Sequence, residues 1–232
     1  MTQLKLNNSN AAKQIKTTLM NRDIADIRKN YSLETLDENN IAGDAIEQFT
    51  IWWNDAVKSE IDEVNAMMLA TSTPEGKPSA RIVLLKDYDE RGFVFFTNYN
   101  SNKGHALDEN PNAALTFFWK ELERQIRIEG IAEKVSALES DEYFYSRPAG
   151  SRIGAWASPQ SSVIKNRDIL DDNVEKYSTQ FGDEIPRPEN WGGFRIKPLM
   201  IEFWQGRSNR LHDRICYTLT EENKWKIERL AP

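Results

Sequence analysis

Residues 66–97 read AMMLATSTPEGKPSARIVLLKDYDERGFVFFT, and this stretch decides the fold. Three apolar runs of strand length are separated by two turn-forming clusters, Pro74–Gly76 and Asp89–Gly92. The spacing predicts strands over Ala66–Ser72, Ala80–Asp87 and Phe93–Thr97, because runs this short between Gly- and Pro-bearing turns suit a meander better than helices. Upstream, Asp44 and Glu47 have capping-box spacing, and Ile46, Phe49, Trp53 and Val57 recur at helical intervals. Downstream, a short helix over Ser101–Asn110, closed by Pro111, leads into strands Ala113–Trp119 and Gln125–Val135. Helices follow over Ala137–Arg147 and Ser162–Phe181, then strands over Gly193–Gln205, Arg210–Tyr217 and Lys224–Arg229. The order predicts an α+β fold dominated by an antiparallel sheet, a closed or split β-barrel with helices packed outside. No Gly-rich βαβ fingerprint appears, so a Rossmann site is not expected. Residues 1–20 carry no strong apolar period and are expected to be a mobile segment, leaving 21–232 as a single domain.

The chain has a net charge of −6. It therefore lacks the general basic character that nucleic-acid binding uses to neutralise phosphates. Its cations are nevertheless placed unevenly: Arg81, Lys86, Lys103, Arg124, Arg127, Arg147, Arg152, Arg210 and Arg214 all lie in or beside apolar segments. Such placement points to small anionic ligands. Cys216 is the only cysteine, which excludes an intrachain disulfide and points to a reducing compartment. No secretory h-region and no run approaching the ~20 apolar residues of a membrane span is present, so a cytoplasmic protein without a membrane partner is expected. Seven Trp residues need a core, a subunit interface or a planar ligand to pack against.

Several local patterns carry chemistry. Arg81 and Lys86 bracket an apolar strand, and residues five apart face opposite sides unless a bulge intervenes; they serve different sites or simply reach out to water from a buried strand. Ser101 is placed to cap a helix whose backbone N–H groups, with Lys103, suit a phosphate, although an ordinary capped helix explains the same residues. Gln125, Arg127 and Glu129 form the polar side of a strand, solvated or, at Gln125, able to pair with a heterocycle edge. Tyr143, Arg147 and Ser151 are spaced by four, but Pro148 predicts that the helix stops and restarts there. A phenol, a guanidinium and a hydroxyl so gathered would make a phosphate cradle or a surface helix end. Arg210, His212 and Arg214 would share one face of a strand, which needs an anion or carboxylate partners among them. One Cys and two separated His give no metal-ligand spacing, and no G-x-S-x-G elbow is present.

Taken together, RIVLLK (81–86), FTNYNSNK (96–103), ERQIRIEG (123–130), YFYSRP (143–148), IGAWASPQSS (153–162), WGGFR (191–195), EFWQGRSNRLHDR (202–214) and WKIERLAP (225–232) resemble the pyridoxine/pyridoxamine 5′-phosphate oxidase family. The resemblance runs from about Arg28 to Pro232. It implies an FMN-binding split barrel with flanking helices, working as a homodimer with FMN at the subunit interface. By matching positions, it implies FMN contacts from Arg81, Ile82, Val83, Leu84, Leu85, Lys86, Phe96, Thr97, Ser101, Asn102, Lys103, Gln125, Gln160, Ser161, Trp204 and Arg214. It implies substrate contacts from Lys86, Tyr143, Arg147, Ser151, Arg210 and His212, with Arg28 and Tyr31 on an N-terminal segment that covers the site in relatives. Arg210 and His212 are the implied catalytic pair. The activity implied is oxidation of pyridoxamine or pyridoxine 5′-phosphate to pyridoxal 5′-phosphate with O2, releasing hydrogen peroxide. One departure stands out: the family usually has Arg where this chain has Asn102, which implies weaker FMN binding. A competing reading is a non-catalytic carrier of flavin or pyridoxal phosphate on the same fold, and a third is another flavin reductase or oxidase on that barrel.

Overall fold

A computed structural model describes residues 29–232; the segment 1–20 and Arg28 lie outside the described residues. Helix α1 (Ala45–Lys58) starts where the Asp44 carboxylate accepts the N–H groups of Ile46 and Glu47 at 2.8 and 3.1 Å. No reciprocal bond from the Glu47 side chain completes a capping box; the other Asp44 oxygen accepts from Trp225 Nε1 at 3.0 Å and ties the helix to the C-terminal hairpin. The buried face is Ala45, Gln48, Phe49, Trp52 and Ala56, one position round from the expected Ile46–Phe49–Trp53–Val57 row, and Val57 is exposed. Two apolar stripes overlap on this helix, and Trp52 decides between them by packing edge-on against Phe203 at 5.2 Å.

Among the described residues the sheet has nine antiparallel strands: β1 (Ala66–Ser72), β2 (Pro78–Leu84), β3 (Asp87–Asp89), β4 (Gly92–Asn98), β5 (Asn112–Trp119), β6 (Arg124–Lys134), β7 (Trp191–Gln205), β8 (Asp213–Leu219) and β9 (Trp225–Arg229). Their order is β2-β1-β5-β6-β7-β4-β3, with β8 on β7 and β9 on β8. The long β7 makes this possible. Its first half pairs with β4, its second half with β8, and β6 runs beside both. A register shift at Glu129/Gly130, opposite Pro198, bends the sheet there. The curl brings the two ends of the order together, since Leu85 N–H donates to Asn65 O (2.8 Å) and the next residue, Lys86, donates to Val94 O (2.9 Å). The result is a split barrel. Its interior is filled by Phe49, Phe93, Phe95, Leu115, Phe117, Ile126, Ile128 and Phe203, all fully buried.

That change of partner is why the expected strand Ala80–Asp87 is two strands: β2 stops at Leu84 and β3 starts at Asp87. Two further expectations are corrected. Helix α5 covers Asp168–Phe181 and not Ser162–Phe181, because Asp168 and Asp171 favour an N-terminus there while Ser162 N–H turns back to Pro159 O. The strand expected from Arg210 begins at Asp213; Ser208–Arg210 form a 3₁₀ turn in which Asn209 and Arg210 take left-handed φ values of 56° and 61°. The predicted break at Pro148 is present, with α3 (Ala137–Ser146) ending before it and α4 (Ala149–Ala157) starting after it. Helix α2 (Asn102–Glu109) is capped by Ser101 as expected. Among the described residues no helix is long and apolar enough to cross a membrane.

Candidate active site

A cleft of about 610 Å³ opens where β2 and β4 meet α3 and α4. The end of β2 builds its floor: the consecutive residues Ile82, Val83 and Leu84, with Lys86 past the crossover, line it. Arg81 is not among the lining residues; it donates to Leu69 O (3.2 Å), Thr71 Oγ1 (2.8 Å) and Ser79 Oγ (2.7 Å). Leu85 is buried in the barrel core and takes no part in the lining. Phe96 and Thr97 come from β4, and Tyr143, Arg147, Ser151 and Gln160 from the α3–α4 side.

One wall is aromatic. Phe96 and Tyr143 stack at 4.1 Å, Phe96 and Trp191 at 5.6 Å, and the Arg147 guanidinium lies 4.6 Å over the Trp191 ring. Trp191 and its neighbours Gly192 and Gly193 were not singled out as site residues from sequence. The signal was present, since paired glycines inside a strand mark a close approach. A Cβ at Gly193 would meet Phe96 Cε1 at 2.9 Å, so glycine is what lets the Phe96 ring lie against β7. Asn98, Gly154, Ala155 and Ser158 also line the cleft; they lie within FTNYNSNK and IGAWASPQSS without being among the expected contacts.

The cleft is cationic. Among the described residues none of Arg81, Lys86, Lys103 and Arg147 has a carboxylate within ion-pair distance, although most other cations near the sheet do. Arg147 Nη1 and Arg152 Nε are buried nitrogens without a hydrogen-bond partner among the described residues. Burial lowers the pKa of Arg147. It also lowers that of Lys103, with the Arg81 charge adding to the effect. Lys103 Nζ is 3.3 Å from Gln160 Oε1 and 3.2 Å from Thr97 Oγ1, and Thr97 Oγ1 donates to that same Gln160 oxygen at 3.2 Å. The N-terminal end of α2 is less open than the sequence implied. Ser101 Oγ caps Gly104 N–H, and Asn102 N–H donates to Ser161 Oγ at 3.2 Å. Lys103, more than free backbone donors, is what this end offers an anion.

The remaining expected residues lie elsewhere in the chain. Gln125, Trp204 and Arg214 are cross-strand neighbours on β6, β7 and β8. Trp204 packs 4.5 Å from His212, and Tyr31 stands at 5.9 Å from Trp204 and 6.0 Å from His212. Arg210 does not share a strand face with His212 and Arg214, because the turn carries it away. Arg214 is committed to the buried Glu202 carboxylate at 2.8 and 3.1 Å, so the carboxylate-partner alternative holds for that residue. His212 Nδ1 accepts the Arg207 N–H at 3.1 Å, which assigns the ring proton to Nε2. Burial and the Arg210 charge lower the His212 pKa, leaving a neutral N–H donor at pH 7. From Gly193, opposite Phe96, to Trp204 the chain runs roughly 36 Å along β7 at strand rise. The expected site residues therefore form two separate groups within one chain.

The sequence matches two family models, described as pyridoxamine 5′-phosphate oxidase over residues 53–181 and pyridoxine 5′-phosphate oxidase C-terminal dimerisation region over residues 191–232. It is 58% identical over 214 residues to a pyridoxine/pyridoxamine 5′-phosphate oxidase of Trichormus variabilis, covering 92% of this chain and 100% of the relative. It is 56% identical over 209 residues to one of Polynucleobacter asymbioticus, covering 90% and 99%. Among solved structures, PhzG from Burkholderia lata 383, in complex with tetrahydrophenazine-1-carboxylic acid, superposes with a TM-score of 0.81 at 30% identity, covering 87% of this chain and 100% of that one. An FMN-binding, pyridoxamine 5′-phosphate oxidase-related protein from Nostoc punctiforme shares the fold at 17% identity, with a TM-score of 0.66 and coverage of 83% and 100%. With the split barrel and the cationic cleft in place, these matches settle the affiliation: the chain belongs to the pyridoxine/pyridoxamine 5′-phosphate oxidase family of oxidoreductases.

Proposed function

We propose that this chain, as a cytoplasmic homodimer, oxidises pyridoxamine or pyridoxine 5′-phosphate to pyridoxal 5′-phosphate. The flavin is FMN and the acceptor O2. The alcohol gives aldehyde and hydrogen peroxide; the amine, with one water, gives aldehyde, ammonia and hydrogen peroxide. The observation that carries this reading is the cleft with cations at two places and, among the described residues, no lining carboxylate to neutralise them. Two phosphates, one from the flavin and one from the substrate, suit that arrangement.

The residues present fit FMN. Lys103, Thr97 and Gln160 are gathered at one end, with the Arg81 charge close enough to depress Lys103; they would hold the phosphate of the flavin. Ile82, Val83 and Leu84 would lie along its planar ring system. The chemistry FMN supplies when bound is two-electron transfer from the substrate carbon to O2, which no side chain here performs. Lys86, Tyr143, Arg147 and Ser151 would grip the substrate phosphate, a remote handle that orients the reacting carbon. Arg210 and His212 would come from the partner protomer. His212, neutral with its proton on Nε2, acts in this scheme as a hydrogen-bond donor.

The homodimer reading draws on the outer sheet face, where Met68, Ile82, Phe118 and Leu199 are exposed. It also draws on the family model for a dimerisation region. A pure carrier would have no need of a second phosphate grip, which favours the enzyme.

The test is to mix protein, FMN and pyridoxamine 5′-phosphate in air and follow aldehyde and peroxide together. Equal amounts of both, dependent on FMN, are expected. Bound flavin without product would favour the carrier. A second expectation concerns Asn102, which is exposed at the start of α2. Asn102→Arg should tighten FMN binding by about threefold to tenfold, one charge-assisted contact at a partly exposed site. Flavin-fluorescence titration reads this directly, and an unchanged Kd would sink it.

A further inference from the structure

Glu123 occupies the tight turn between β5 and β6, where a solvated side chain is the ordinary outcome. Its carboxylate is instead only 3% exposed, and its backbone takes a left-handed φ of 55°, which L residues with a Cβ adopt reluctantly. What the carboxylate holds is the segment leading into the domain. Oε2 accepts the N–H groups of Ser32 at 2.8 Å and Leu33 at 3.2 Å, and Oε1 faces Lys29 Nζ at 3.2 Å. Burial works to raise its pKa and is outweighed by those N–H donors and Lys29, so the group titrates below the usual carboxylate range and is charged near neutrality.

The same residue also fixes the loop after β7. Glu123 O accepts the Gly206 N–H at 2.7 Å. A Cβ at Gly206 would strike Tyr31 Cγ at 2.7 Å and Glu123 Cβ at 3.0 Å. Glycine there lets the Tyr31 ring close over the loop. Glu123 thus ties two pieces of chain together at one point, and the ring caught between them is Tyr31, edge-on to Trp204 and next to His212.

We propose that Glu123 is a positioning residue for the oxidation: its carboxylate fastens the Lys29–Leu33 segment so that Tyr31 lies against Trp204 and His212 on the substrate side of the site. This role rests on the function proposed above. Lys29 is largely exposed and contributes little by itself; the backbone N–H bonds carry the fastening.

The experiment uses the full chain loaded with FMN. KM and kcat for pyridoxamine 5′-phosphate, FMN affinity, and hydrogen exchange at the Ser32 and Leu33 amides are measured for wild type, Glu123→Ala, Glu123→Gln and Lys29→Ala. Glu123→Ala should raise KM roughly tenfold, leave FMN affinity within about twofold, and remove protection at Ser32 and Leu33. Glu123→Gln keeps an accepting oxygen and should recover most of the KM, while Lys29→Ala stays within about twofold of wild type. If Glu123 acts through Tyr31, adding Glu123→Ala to Tyr31→Ala should change KM no further; independent effects would mean a general structural role and overturn the proposal. Released amides with an unchanged KM would overturn it as well. Should Glu123→Ala fail to fold, Glu123→Asp, whose shorter side chain draws the carboxylate away from the Ser32 and Leu33 N–H groups, is compared alone and in the Tyr31→Ala background and decides in the same way. A wild type without turnover would overturn function and role together, whereas an active wild type whose variants keep its KM overturns the role alone.

Discussion

Arg147→Leu is expected to lower kcat/KM for pyridoxamine 5′-phosphate by about two to four orders of magnitude while leaving FMN bound. Leucine keeps the apolar stem that packs beside Trp191 and removes every donor. In the free protein the guanidinium lies 4.6 Å over the Trp191 ring, and its Nη1 is buried without a partner among the described residues. Two charge-assisted bonds to a phosphate contribute about 1.5–3 kcal/mol each, which sets that range. Because the donors serve no hydrogen-bond partner among the described residues, the substitution should not lower the melting temperature; the kinetic loss is the diagnostic. Arg147→Lys retains charge but not the planar fork, so an intermediate loss of roughly tenfold is expected. Steady-state kinetics with flavin-fluorescence titration separates the two sites. A kcat/KM within threefold of wild type for Arg147→Leu would remove Arg147 from the substrate phosphate.

Local signals in the sequence reached the elements they control and stopped there. Ala66–Ser72 was read with its observed bounds, Ser101 caps the helix it was expected to cap, and Pro148 divides α3 from α4. Each of these depends on residues within a turn or two of one another. The crossover at Leu85–Lys86 depends instead on Asn65 and Val94, and no periodicity within RIVLLK reveals that the strand changes partners. The same limit explains the strand expected at Arg210. Alternation in RLHDR suits a strand, but the left-handed pair Asn209–Arg210 bends the chain before Asp213 enters the sheet. Glu123 was invisible for a related reason, since a carboxylate in a turn announces itself only when Ser32 and Leu33 arrive from 90 residues away. The constellation Tyr143–Arg147–Ser151 was legible because two short helix segments keep it local, whereas Trp191 joined it from β7.

A heterodimer carrying Arg147→Leu in one protomer and Arg210→Leu in the other is expected to recover roughly half of wild-type activity, although each variant homodimer is nearly inactive. The reason is the separation of the two groups within one chain. Arg147 lines the cleft beside β2 and β4, while Arg210 follows the far end of β7, beyond Trp204. Neither residue has an ion-pair partner among the described residues to explain it otherwise. In the homodimer proposed above, the Arg210 turn of one protomer meets the cleft of the other. Both defects then fall in one site of the heterodimer, and the second site receives a native Arg147 and a native Arg210. Two affinity tags and sequential purification isolate the mixed species, and its turnover is compared with that of both homodimers at equal flavin content. If the site were built within one protomer, each site of the heterodimer would carry one defect and no activity would return. Recovery near half therefore requires that the two groups meet across the subunit boundary, and a flat result would place Arg147 and Arg210 in a site built within one protomer.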